Sequence, residues 1–124
     1  MFNMIRPALV VAAALILAAP VYAWRSPSTS ERRAVAAVIR KNPAASSVTS
    51  VQRVRISTID RRFASAVTFA RDKAGHPLGR DAWLLRDGAR GWRVIFVGSD
   101  MPPCYVATAA VRRDLLGSAV CFNP

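Results

Sequence analysis

The sequence predicts an α+β domain in which an N-terminal helix packs on a four-stranded, antiparallel, curled sheet and a disulfide ties down a short C-terminal helix. Three observations lead to this prediction. Residues 28–41 have a helical period after a capping signal, four later segments alternate polar and apolar residues, and two cysteines flank the last helical segment. A 3.6-residue period indicates an amphipathic helix, whereas strict alternation indicates a strand with one buried face.

The first helix begins at a capping box. Ser28 and Glu31 have the spacing at which the Ser oxygen accepts a backbone N–H and the Glu side chain bonds back to the cap. We predict that the helix runs to about Lys41 and ends at Asn42-Pro43, because proline disfavours helical backbone in the residue before it. Its apolar face consists of Val35, Val38 and Ile39. Residues 24–30, before the helix, are predicted to be a flexible leader.

Two strands are predicted after this helix, Gln52–Ser57 and Phe63–Arg71. In the first strand, Val54 and Ile56 point to one side, whereas Arg53 and Arg55 point to the other. This alternation predicts a half-buried strand whose two arginines lie on the sheet face opposite the helix.

The third and fourth strands form the clearest hairpin of the sequence. Ala82–Arg86 and Gly91–Val97 both alternate, and a four-residue loop separates them. Residues 72–81, before the hairpin, contain Gly and Pro at positions typical of turns and predict a mobile connection.

The register of this hairpin follows from its large side chains. Pairing Trp83 with Val94 and Leu85 with Trp92 gathers them on the helix-facing side, and Phe96 falls on that side as well. The opposite face then carries Leu84, Ile95 and Val97, interleaved with Arg86 and Arg93.

A short second helix is predicted near the C-terminus. Thr108 caps it, it runs through Leu116, and Gly117 supplies the left-handed residue that ends it. Val111 and Leu115 share its apolar side. We expect this side to cover the apolar part of the open sheet face.

The two cysteines, Cys104 and Cys121, are predicted to form a disulfide. A metal site needs three or four suitable ligands, and the chain offers two Cys and one His, His76. The cysteines also lack the C-x-x-C spacing of a redox pair. We therefore predict a structural disulfide, no bound metal and no cofactor.

Residues 1–23 have the features of a cleaved secretory signal. Arg6 precedes an apolar run, and Val21 and Ala23 suit the signal-peptidase pocket, which predicts cleavage after Ala23. An uncleaved membrane anchor is the alternative, but the apolar run is shorter than the roughly 20 residues of a span. We predict a single secreted domain over residues 24–124, extracellular or periplasmic, with no stable membrane span after cleavage.

The charge of the predicted mature chain indicates an anionic partner. Cleavage removes one of the 18 basic residues and none of the 7 acidic ones, so a net charge of about +10 remains. An export signal argues against nucleic acid as the partner. Envelope polymers, lipid head groups and acidic proteins are the abundant anions outside the cell, and net charge alone attracts them at long range. A merely solvated cationic surface is the alternative.

Most of the predicted mature chain resembles small secreted bacterial α+β proteins to which no activity is attached. The resemblance rests on the strand Arg53-Val-Arg-Ile-Ser-Thr-Ile-Asp60, a late "GWRV" strand and two C-terminal cysteines. At the level of the fold, the chain is similar to cystatin-like and NTF2-like rolls, in which a curled sheet wraps a helix. The cystatin-like resemblance implies a protease inhibitor. However, the Gln-x-Val-x-Gly loop of cystatins is absent, so no inhibitory residue can be assigned.

We expect a non-catalytic binding domain rather than an enzyme. The candidate contacts for an anionic partner are Arg53, Arg55, Arg86 and Arg93. The alternative is a small secreted hydrolase that uses His76 as a base with a nearby Asp or Ser. The sequence contains no paired carboxylates, nucleophile elbow or phosphate-binding glycine loop to support it.

Overall fold

The computed structural model describes residues 24–124, and the predicted signal peptide lies outside them. The helices are α1 (Thr29–Lys41) and α2 (Ala109–Leu116), and the strands are β1 (Val48–Ile56), β2 (Phe63–Arg71), β3 (Pro77–Gly88) and β4 (Gly91–Gly98). Two short 3₁₀ turns, Pro43–Ala45 and Cys104–Val106, complete the described elements. The four strands form one antiparallel, curled sheet in the order β1-β2-β3-β4, which confirms the predicted α+β fold.

Helix α1 begins and packs as predicted. The Glu31 N–H donates to Ser28 Oγ at 3.1 Å, and the Ser28 N–H donates to Glu31 Oε1 at 2.9 Å, which completes the capping box. Val35 and Ile39 are fully buried against the sheet. The face of the sheet under α1 contributes Val54, Ile56, Ala64, Ala66, Trp83 and Leu85 to the same core.

Strand β1 starts at Val48, four residues before the predicted start. Its pairing with β2 is interrupted between Gln52 and Arg55, where a bulge places one extra residue on the β1 side. Beyond the bulge, Arg55 pairs with Ser65. Bulges bend an edge strand and re-aim its side chains. The bulge therefore changes the direction of the Arg53 backbone.

The predicted hairpin register is wrong. Strand β3 continues to Gly88, which pairs with Gly91 across a two-residue turn, so Leu85 pairs with Val94 rather than with Trp92. Ala89 and Arg90 form this turn with negative φ, and Gly91 follows them at φ +86°, as in a type I turn that ends in a glycine bulge. A register shift of two residues leaves every side chain on its predicted face. The faces of the large residues near the turn are therefore correct although their partners are not.

A bulge further along β4 does change the faces. Leu84 pairs with Phe96 and Leu85 pairs with Val94, so Ile95 is an extra residue in β4. Because side chains alternate strictly only in an unbroken ladder, the extra residue reverses the alternation beyond it. Phe96 consequently packs with Leu84 on the α2 side, whereas Val97 packs on the α1 core, and both predicted placements are wrong.

Helix α2 covers the second face of the sheet, as predicted. Thr108 Oγ1 accepts the Val111 N–H at 3.3 Å, and Gly117 ends the helix at φ +75°. The buried residues of this second core are Phe63, Leu84, Ala107, Val111 and Leu115, with Ile95, Phe96 and Leu116 packed against them. The predicted disulfide joins Cys104 to Cys121, with a Cα–Cα distance of 4.9 Å.

Two charged residues of α2 are buried, which the sequence did not indicate. Arg112 is only 7% exposed, and its guanidinium donates to the carbonyls of Ala119 (3.0 Å), Cys104 (3.1 Å) and Ala107. Asp114 Oδ2 accepts hydrogen bonds from Ser57 Oγ (2.8 Å) and from the Thr58 N–H (2.9 Å). These bonds fix α2 to the disulfide segment on one side and to the β1–β2 connection on the other.

The segment predicted to be a flexible leader makes defined contacts. The Arg25 N–H donates to the Ile56 carbonyl at 2.8 Å, and the Ile56 N–H donates to the Arg25 carbonyl at 3.0 Å. The Arg25 guanidinium also binds both oxygens of Glu31, at 2.8 and 2.7 Å. The hydrogen bonds that Glu31 accepts, mainly those from the Arg25 guanidinium and then that from the Ser28 N–H, lower its pKa to about 2. The leader is thereby held against the edge of β1.

Candidate anion-binding site

The structure divides the four predicted arginines into two pairs. Arg53 and Arg55 line a groove on the α2 side of the sheet, whereas Arg86 and Arg93 line a separate depression at the β3–β4 turn. The four arginines therefore line two separate concavities, and each pair has its own set of neighbouring residues.

The groove, here called the cationic groove, lies beside the C-terminal end of α2 and has a volume of about 280 Å³. Small side chains of the central strands line it, including Ser65, Val67 and Ala82, and Leu115 and Leu116 of α2 line it as well. Small residues on the strands leave space above the sheet where α2 does not cover it. The fold thus builds a concave, partly apolar site rather than a flat face.

Arg80 is a third arginine of the cationic groove, and the sequence reading missed it. The sequence predicts a mobile connection over residues 72–81, but β3 begins at Pro77, and Arg80 pairs with Phe69 of β2. The residues give no period-two signal there, because Arg80 and Asp81 are both polar and Ala82 and Trp83 are both apolar.

Arg53 has an unusual backbone conformation. Its φ is +50°, and no other non-glycine residue among residues 24–124 has a positive φ. A left-handed conformation costs an ordinary L-residue about 1–2 kcal/mol. Such strain concentrates at binding and catalytic sites, where the structure around it holds it in place. The β1 bulge therefore holds this guanidinium-bearing residue at the cationic groove at a cost in stability.

Within the described part of the chain, the three groove arginines have no acidic partner. In residues 24–124, the ion pairs are Arg25–Glu31, Arg62–Asp60 and His76–Asp72, none of which involves Arg53, Arg55 or Arg80. The Arg55 guanidinium instead lies over the ring of Trp24, 4.4 Å from its centre. Asp81 is the one acidic residue among those that line the groove. Positive charge therefore predominates there, and guanidinium groups are available to bind an oxyanion.

The second pair lies in a different setting. Arg86 and Arg93 are direct cross-strand partners, and Arg62 and Arg90 line the same depression. Like charges directly opposite one another destabilise a strand pair. Arg62 is already bound to Asp60 at 2.8 Å, and the Arg86 guanidinium lies 5.7 Å from the Phe63 ring centre. This end of the sheet is cationic, but it lacks both the strained residue and the α2 side chains of the cationic groove.

The candidate catalytic residue His76 lies on the exposed β2–β3 turn. Its side chain is 77% exposed, and Nδ1 is 3.2 Å from Asp72 Oδ2. The His76 N–H donates to Asp72 Oδ1 at 2.8 Å, so Asp72 organises the turn as well as contacting the ring. His76 is not among the residues that line the cationic groove. Within residues 24–124, no group of three or more His, Cys, Asp or Glu residues is placed to hold a metal ion.

We expect His76→Ala to change little. The free energy of unfolding should stay within about 0.5 kcal/mol of wild type in a denaturant titration, because the side chain is solvated. Any hydrolytic activity of the wild-type protein should also be retained. A loss of activity of about a hundredfold in the folded variant would instead support the hydrolase alternative.

Comparison with known proteins finds no relative of this chain. No family model matches the chain, and no curated protein or solved structure matches it. The resemblance to cystatin-like and NTF2-like rolls stays a prediction.

Proposed function

We propose that this protein is a secreted binding domain that holds an anionic ligand of the cell envelope in the cationic groove. The observation that carries the proposal is Arg53, an arginine kept in a strained conformation beside two further arginines that have no acidic partner among residues 24–124. A residue needed only for a soluble surface gains nothing from a left-handed backbone, since surface arginines occur in ordinary strands at no such cost.

The chemistry of the groove suits phosphate or carboxylate groups. A guanidinium presents a planar set of N–H donors that can bind two oxygens of one anion at once. Leu115 and Leu116 exclude part of the water from the groove, and charge-assisted hydrogen bonds strengthen as water is excluded. Envelope polymers, lipid head groups and acidic proteins share these anionic groups.

The proposed location rests on two observations. The Cys104–Cys121 disulfide is typical of proteins that fold in an oxidising compartment. Residues 1–23 have the pattern of a secretory signal. Together these observations favour an exported protein that meets envelope anions.

The two alternatives have less support. The His76–Asp72 contact provides an acid–base pair for a hydrolase, but it lies on an exposed turn, and neither residue lines the cationic groove, the depression at the β3–β4 turn or the concavity at the edge of β1. Protease inhibition, which the cystatin-like resemblance implies, has no counterpart of the Gln-x-Val-x-Gly loop in this sequence.

Arg53→Asn tests the proposal without disturbing the backbone. Asn adopts the left-handed conformation more readily than Arg, so the variant should be at least as stable as wild type in a denaturant titration. Calorimetric titration with pyrophosphate at low salt should show about a tenfold loss of affinity, because a charge-assisted hydrogen bond is worth roughly 1.5 kcal/mol or more.

Arg113→Gln is the matched control. Arg113 is exposed on α2, forms no ion pair in residues 24–124 and does not line the groove, yet its replacement removes one positive charge as Arg53→Asn does. We expect it to change the pyrophosphate affinity by less than about twofold, through long-range attraction alone. Equal losses in the two variants would show that only net charge acts and would contradict the proposed site.

A further inference from the structure

A second concavity lies beside the cationic groove at the edge of β1. It has a volume of about 250 Å³, and we call it the edge recess. Trp24, Ser26 and Arg32 line it, together with Arg53 and Arg55. Because Arg53 and Arg55 line both concavities, the groove and the recess meet at these two residues.

The N-terminal segment builds the edge recess. The backbone bridge between Arg25 and Ile56 holds the segment against β1, and the Trp24 ring packs against the Arg55 guanidinium at 4.4 Å. Trp24 thereby becomes a fixed wall of the recess.

Arg32 supplies an available charge in the edge recess. Its chain neighbour Glu31 is occupied by the Arg25 guanidinium and by the Ser28 N–H. Within residues 24–124, Arg32 forms no ion pair. Arg80 lines the cationic groove and Arg32 lines the edge recess, whereas Arg53 and Arg55 line both. Four arginines without acidic partners therefore follow one path over the edge of the sheet.

We propose that the groove and the recess bind one ligand, a linear polymer with repeated phosphate groups that crosses the β1 edge. This inference rests on the proposed function. One phosphate binds in the cationic groove near Arg80, another binds in the edge recess near Arg32, and Arg53 and Arg55 contact the chain between them. β1 is an edge strand of the sheet, and the leader pairs with its edge at Ile56, so Trp24 forms one wall of this path.

The shape of the site favours a linear phosphate polymer over the other anions. Two concavities that meet at the edge of a sheet cannot both contact a flat lipid surface, whereas a flexible chain can enter both. Several arginines surround each concavity, and a phosphate has enough acceptor oxygens to bind more than one guanidinium at a time. A carboxylate, with two oxygens, is well matched to a single guanidinium.

The test compares two lengths of the same anion on the folded, disulfide-bonded chain. Calorimetry is performed with pyrophosphate and with inorganic polyphosphate of about 15 units, on wild type, Arg80→Gln, Arg32→Gln and the control Arg113→Gln. We expect Arg80→Gln to weaken both ligands by about tenfold. Arg32→Gln should weaken the long chain by a similar factor and leave pyrophosphate within about twofold, since the short anion occupies the groove alone.

Each contrary result identifies what fails. If Arg32→Gln affects the long chain no more than Arg113→Gln does, the recess takes no part and the inference is overturned, while losses in Arg53→Asn and Arg80→Gln keep the proposed function. If Arg32→Gln weakens the binding of both ligands equally, Arg32 belongs to the same short site as Arg80, and the proposal of an extended site is overturned. Phosphatidylglycerol vesicles that show the same losses in Arg32→Gln and Arg80→Gln would also overturn the assignment to a linear polymer.

Discussion

Replacing Arg112 by Met should lower the free energy of unfolding by about 4 kcal/mol. The Arg112 side chain is almost fully buried and donates hydrogen bonds to three backbone carbonyls, those of Ala107, Cys104 and Ala119. Met fills much of the same space but donates no hydrogen bond, so all three carbonyls lose a partner. Each buried polar group left without a partner costs roughly 1–3 kcal/mol.

The control for this variant is the neighbouring residue. Arg113 is exposed on the same helix, so Arg113→Met should change the free energy of unfolding by no more than about 0.5 kcal/mol. Denaturant titrations of both variants with the disulfide intact give the comparison. A loss of less than about 1 kcal/mol in Arg112→Met would show that water replaces the guanidinium at these carbonyls, and that Arg112 does not hold the C-terminal segment.

Reducing the Cys104–Cys121 disulfide should lower the free energy of unfolding by about 3 kcal/mol. The cysteines are 17 residues apart, and opening a loop of that length returns conformational freedom to the unfolded chain. Reduction should also loosen α2 over Leu84 and Ile95, because the disulfide segment accepts a hydrogen bond from Arg112 and packs next to this core. Binding of a hydrophobic dye should then rise before global unfolding.

Cys104→Ser/Cys121→Ser distinguishes loss of the disulfide from any effect of the reductant. The double variant should unfold as the reduced wild type does, and reductant should leave its stability unchanged. Since the Cys104 carbonyl bonds to Arg112, the losses from the two changes should not add when Arg112→Met is combined with the Cys variants. Unchanged dye binding after reduction would contradict a disulfide that holds the α2 cover in place.

Local signals in the sequence were sufficient for the helices and for β2. The Ser28–Glu31 capping box and the Thr108–Gly117 boundaries each depend on residues within one turn, and no distant contact overrides them. The sheet order and the disulfide also follow from the sequence, because short connections favour antiparallel neighbours and the chain offers only two cysteines.

Register and buried charge could not be predicted in this way. A β-bulge adds one residue without a composition signal, and in β4 this moved Phe96 and Val97 to the opposite faces. The sequence does not distinguish the buried Arg112 from its exposed neighbour Arg113, because the burial of Arg112 depends on carbonyls from two other segments. The same holds for the contact between Trp24 and Arg55, which needs the leader to return to β1.

The candidate site was predictable only in part. The arginines of β1 follow from alternation, and the structure places both in the cationic groove. Arg86 and Arg93 also follow from alternation, but the strand direction carries them to the β3–β4 turn, away from that groove. Arg80 and Arg32 enter the two concavities through the early start of β3 and the position of the leader, which are tertiary features.

The most direct test of the central claim is an NMR titration with pyrophosphate that follows the Nε–Hε signals of individual arginines. We expect the largest shifts for Arg53, Arg55 and Arg80, which line the cationic groove, with the Arg113 signal nearly unchanged. Shifts of similar size at all exposed arginines, or shifts confined to Arg86 and Arg93, would contradict a binding site in the groove.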